Sequence, residues 1–187
     1  YDPVNRRVLL YGGRHHDTTF DDLWAWNGAE WSLLAAHGPG GRHLAIVGFD
    51  EVRGELIVHG GHEIGPDKMR GDTWIFGKDG WRTSTSLDHG AHFAGAMAFD
   101  PVTRSLVMHG GHGEHGPLRA TWRWDGDDWQ LVTDSGPANA AHQGMVGTGR
   151  GLLLLTGTMD PSENPLEVWE WSGTWQRVSE GPAWRTG

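Results

Sequence analysis

The chain is built from one motif used four times, and an internal repeat restricts the available folds more than any other feature. Glycine pairs stand at Gly12-Gly13, Gly60-Gly61 and Gly110-Gly111, with Thr156-Gly157 in the fourth place, at intervals of about 50 residues. After each comes an aromatic-x-aromatic pair: Trp24/Trp26, Trp74/Phe76, Trp122/Trp124 and Trp169/Trp171. A further tryptophan follows each pair, at Trp31, Trp81, Trp129 and Trp175. Of the 12 tryptophans only Trp184 falls outside this register.

Each unit reads as four short strands. In the second unit His43 to Phe49 is a strand of small residues and Asp50 to Gly54 a turn. Glu55 to His59 alternates into the glycine pair, Asp72 to Phe76 alternates again, and Trp81 to Ser86 returns. Period-2 alternation broken by Asp-Pro, Asn-Gly and Asp-Gly turns is an all-β pattern. The 30 glycines point the same way, since long helices do not tolerate them. Four-stranded units of this length stacked about an axis make a β-propeller. The expected repeats are 1–42, 43–91, 92–141 and 142–187, within a single propeller region.

A Gly-Gly pair after the second strand, an aromatic in the third and a tryptophan opening the fourth together resemble kelch repeats. The resemblance spans nearly the whole chain and is weakest in the fourth unit, where Thr156-Gly157 replaces the pair. It implies a propeller with the small-residue strand innermost. Kelch proteins include protein-binding scaffolds and enzymes, so the resemblance implies no single function. Tyr1-Asp2 aligns with Phe49-Asp50 and Phe99-Asp100, so the first blade is expected to lack most of its inner strand. The expectation is a segment of a larger propeller, or self-association in which another copy fills the gap.

Composition narrows the function. With 15 basic and 24 acidic residues the net charge is −9, which argues against nucleic acid as a partner. The longest aliphatic run is Leu152 to Leu155, far short of a membrane span. There is no cysteine, which excludes thiol chemistry and the cysteine-modified tyrosine that copper-radical kelch oxidases use. The glycine pattern from Gly111 to Gly116 fits a dinucleotide fingerprint in spelling alone, because it joins two strands and opens no helix.

The 12 histidines carry the remaining chemistry. His43, His92 and His142 fall at one phase, beside the start of the inner strand. His62 and His112 fall at another, just after the glycine pair, where the first unit has Arg14 and His15. Antiparallel order brings both sets to one rim. His43, His92 and His142 are the candidate ligands for a divalent transition metal such as zinc, copper or nickel. Arg14, His15, His62, His112 and Trp184 are the candidate ligand-binding residues. The leading expectation is a binding scaffold whose rim loops hold a protein, peptide or carbohydrate. The alternative is a metal-dependent or acid/base enzyme with a histidine-lined site at the channel mouth. The motif tryptophans and glycine pairs are read as structural.

Overall fold

The computed structural model describes residues 1–65, 68–85, 90–137, 143–156 and 166–180. The described residues contain no helix. The first unit holds β1 (Val8–Tyr11), β2 (Arg14–His15), β3 (Thr18–Thr19), β4 (Leu23–Trp26) and β5 (Trp31–Ala35). The second holds β6 (Ile46–Asp50), β7 (Glu55–His59), β8 (Thr73–Gly77) and β9 (Gly80–Thr83). The third holds β10 (His92–Phe93), β11 (Ala96–Asp100), β12 (Ser105–His109), β13 (His112–Gly113), β14 (Gly116–Pro117), β15 (Thr121–Trp124) and β16 (Trp129–Thr133). The fourth holds β17 (Gly144–Thr148), β18 (Gly151–Thr156), β19 (Glu167–Trp171) and β20 (Trp175–Glu180).

Four main antiparallel sheets follow, one per unit, with strand orders β1-β4-β5, β6-β7-β8-β9, β11-β12-β15-β16 and β17-β18-β19-β20. The first sheet has three strands and leaves β1 at its edge. Two small sheets, β2-β3 and β10-β13-β14, sit beside the main ones. No closed ring of sheets is detected among the described residues.

The hairpin from the first to the second strand of a unit is fixed by a buried aspartate. Asp50 Oδ1 accepts from the Val52 and Arg53 amides at 2.9 and 3.3 Å. Asp100 Oδ1 accepts from the Val102 amide at 2.9 Å and Oδ2 from the Thr103 hydroxyl at 2.7 Å. Asp2 makes the same turn with Asn5 and Arg7. In the fourth unit Thr148 takes over, its hydroxyl accepting from the Arg150 amide at 3.2 Å and donating to the Gly151 carbonyl at 3.2 Å.

Each sheet packs on the next through alternate residues of its strands. Leu23 of the first sheet meets Phe49, Leu56 and Val58 of the second. Ile46, Ile57 and Ile75, on the opposite face of the second, meet Leu106, Met108, Trp124 and Trp129 of the third. Val107 of the third meets Leu152 and Trp171 of the fourth. A ring contact recurs at every step. The residue ending one sheet's second strand packs on the tryptophan opening the next sheet's fourth strand: Tyr11 on Trp81 at 5.3 Å, His59 on Trp129 at 6.1 Å, His109 on Trp175 at 4.9 Å.

Two of these contacts are closed by a threonine. Thr73 Oγ1 lies 2.7 Å from His59 Nδ1 and accepts from Trp129 Nε1 at 3.1 Å. Thr121 Oγ1 lies 2.9 Å from His109 Nδ1 and accepts from Trp175 Nε1 at 2.8 Å. In the first sheet the same strand position is Leu23, which offers no acceptor, and Trp81 Nε1 is buried without a partner.

The expectation that the motif tryptophans fill the packing between sheets holds for Trp124, Trp129 and Trp171, which are buried. It fails for Trp31, which is 49% exposed. The first members of the pairs are half-buried on interior strands of their sheets. There Trp24, Trp74 and Trp169 donate from Nε1 to carboxylates two residues upstream, at Asp22, Asp72 and Glu167.

Burial of His109 has a consequence in acid. Its imidazole is pushed down to about 4 by burial, with a backbone contact at Pro137 pulling the other way. The unfolded chain therefore takes up this proton first, as pH falls below the ordinary histidine value of about 6.5. Stability present above that pH is lost toward pH 4, by about 3 kcal/mol from this one group. The His109→Gln variant can keep a hydrogen bond to Thr121 but does not titrate. Urea midpoints at pH 7 and pH 4 should fall further for the wild type than for this variant, and equal falls would refute the assignment.

Candidate functional site

The site lies at the edge where the second strands of the first three units end in their glycine pairs. The segment leading into the first strand of the next sheet crosses this edge and is held by backbone bonds. The Gly13 amide donates to the Arg42 carbonyl at 3.0 Å, and the Gly61 amide to the His92 carbonyl at 3.0 Å. The fit is close: a Cβ on Gly60 would lie 2.0 Å from the His92 carbonyl oxygen, which is why glycine is needed there. Leu44 and Ala94 then take left-handed φ values of 55° and 57°, which separates the lead-in from the sheet strand. The strand expected from His43 to Phe49 is accordingly split, and β6 begins at Ile46.

These contacts fix the register between units, and it differs by one residue from the register read from the sequence. Arg42 corresponds to His92, and His43 corresponds to Phe93. His43 bridges His62 as Phe93 pairs with His112. Side chains alternate across an extended segment, so one residue of slip reverses the face. Arg42 and His92 point inward; His43 and Phe93 point out toward the loop after the glycine pair.

Inward, Arg42 is fully buried. Its Nη1 donates to the Gly60 carbonyl at 3.0 Å and Asp72 Oδ1 at 2.8 Å, and its Nη2 to Asp72 Oδ2 at 3.2 Å. Asp72 is held below the usual carboxylate range by Arg42, against the opposing effect of burial. His92 is also buried, donates from Nδ1 to the Gly90 carbonyl at 2.8 Å, and packs 4.4 Å from the His59 ring.

Outward, four rings form a row across two units. His43 and His62 lie 5.5 Å apart edge to face, His62 and Phe93 5.8 Å edge to face, and Phe93 and His112 5.9 Å stacked. His62 Nδ1 donates to the Glu63 carbonyl. His43 is held below the ordinary histidine range by burial, and further by nearby His62 and Arg14. Its Nδ1 is buried without a partner. Arg14 is exposed and donates from Nε to the His16 carbonyl at 2.7 Å, while His15 is exposed with its ring 4.3 Å from that of His16. Beyond His62, Glu63 pairs with Arg70 and, at 3.5 Å, with Lys68.

The structure thus joins His43, His62 and His112 through Phe93, a residue the sequence reading passed over, and it places Arg14 near His43. It does not bring His92 to them. His142 and Trp184 lie outside the described residues. Among the described residues no group of three or more His, Asp or Glu is placed to hold a metal ion. The signal that would have found Phe93 was present: Phe49-Asp50 and Phe99-Asp100 fix an interval that pairs His43 with Phe93.

A separate cavity of about 430 Å³ lies between β6, β11 and β17, lined by Val47, Phe49, Met97, Phe99 and Met145 with Tyr1 at its side. Glu51 is its one charged lining residue, and no histidine lines it. The triplet Asp125, Asp127 and Asp128 forms a turn in which Asp125 Oδ1 accepts two backbone amides, at 3.0 and 2.9 Å. No protein-family model matches the chain, and no curated protein matches it.

Proposed function

We propose that the chain is a kelch-like propeller region acting as a binding scaffold, with the ring row His43–His62–Phe93–His112 as its ligand-binding edge. The kelch-like reading draws support from four repeated units with sequential antiparallel strand order, each packed face to face on the next. The binding reading is carried by the row itself. Four rings crossing from one unit to the next offer apolar faces for stacking and imidazole nitrogens for hydrogen bonds, with Arg14 at one end. That chemistry suits a carbohydrate, or a protein or peptide segment, laid along the edge. A chelated metal would need a third ligand converging on the pair His43 and His62. Acid/base catalysis at the channel mouth would need titratable groups at a cavity whose lining is mostly apolar.

Glycan and peptide arrays, followed by calorimetry on the best binder, test this reading. The paired substitution His62→Ala with His112→Ala should weaken binding at least about tenfold, the loss of one net hydrogen bond or stacking contact. Both side chains are half-buried at the edge, so circular dichroism of the double variant checks that the fold is kept. A binder whose affinity ignores both substitutions would move the site elsewhere.

A further inference from the structure

Three of the four main sheets have the same face covered by the sheet before them, and the first sheet does not. On that face Val58 and Met108 are fully buried, while Leu10, at the corresponding place in β1, is 51% exposed. Trp129 is 2% exposed, while Trp31, which opens β5 as Trp129 opens β16, is 49% exposed. Val8 is exposed beside them, while Leu56 and Leu106, at its place in β7 and β12, are buried. The fourth sheet is the converse. Its forward face, the kind that in the other sheets receives a following sheet, exposes Leu155 and Val146.

The ring contact between sheets states what would meet there. Tyr11 takes Trp81, His59 takes Trp129 and His109 takes Trp175. The next residue in the series is Leu155, opposite Val168 in β19, and the tryptophan without a counterpart is Trp31. Leu155 lies opposite Val168 where His59 and His109 lie opposite Thr73 and Thr121. This contact, like that of Tyr11 opposite Leu23, therefore has an apolar residue in place of the hydroxyl and can pack dry. We propose that the Trp31 face of the first sheet binds the Leu155 face of the fourth sheet in a second copy of this chain. Such a contact is heterologous: it joins copies head to tail and closes as a ring if the rotation allows. It continues an interface the molecule already forms three times, and it holds whichever ligand the histidine edge binds.

The contact is tested with the chain as it is. Light scattering during gel filtration at about 100 μM should give at least twice the chain mass of 20.6 kDa. Trp31→Lys and Leu155→Glu should each run as monomers with unchanged circular dichroism. Mixing the two variants in equal amounts should restore a dimer, because each supplies the face the other has lost. A second reading uses the absence of cysteine: Trp31→Cys mixed with Leu155→Cys should oxidise to a cross-linked pair, whereas neither alone should cross-link. A monomeric wild type, or variants that associate singly and gain nothing on mixing, would overturn the proposal.

Discussion

Trp129→Ala is expected to lower unfolding free energy by about 3–5 kcal/mol, the range for removing a buried indole. The ring is 2% exposed and packs 5.0 Å from Trp124 and 6.1 Å from His59. Its loss opens a cavity between the second and third sheets and removes the Nε1 bond to Thr73. Trp31→Ala changes the same motif position and should cost less, about 1 kcal/mol in the dilute monomer, since its ring is half exposed and packs on Trp26. Urea unfolding followed by circular dichroism at low protein concentration compares the two. Similar costs for both would mean that the motif position, and not the covering sheet, sets the energetics.

The second large effect is an asymmetry across one ion pair. Asp72→Asn should cost about 3 kcal/mol, because it strands the fully buried Arg42 guanidinium without its counter-charge. The figure sits at the lower end of the range for broken buried pairs, since the Asp72 side chain is 35% exposed and water can reach the vacated contact. Arg42→Met should cost less, since it removes the buried charge and leaves Asp72 to rehydrate. The Gly60 carbonyl then loses its donor, so the change is not free. A double-mutant cycle measures the coupling. If Arg42→Met proves the more damaging of the two, the guanidinium acts through packing and not through its charge.

What reads directly from the sequence here is local. The Asp50 and Asp100 turns and the alternation through Glu55–His59 follow from short-range hydrogen bonding and a period of two. So does the sequential pairing of each unit's strands, and the glycine pair marks where a second strand ends. These features need only near neighbours, which is why four copies of them could be recognised and why the all-β architecture follows. The histidine edge was legible in part: His43, His62 and His112 were picked out by phase, and they do share one edge.

What the sequence did not fix is the face. His43 and His92 look equivalent in a string of letters, yet the lead-in crosses the glycine pair in a register that matches His43 with Phe93. One side chain joins the half-buried row at the edge and the other goes inside against His59. Nothing local sets that choice. It is made by the backbone bonds from Gly13 to Arg42 and from Gly61 to His92, which lock the lead-in before Leu44 and Ala94 turn the chain into the next sheet. Burial of the tryptophans is decided at the same distance. The sequence determined that each unit carries an indole at this position, and only the stacking of one sheet on the next decided which indoles lost their water.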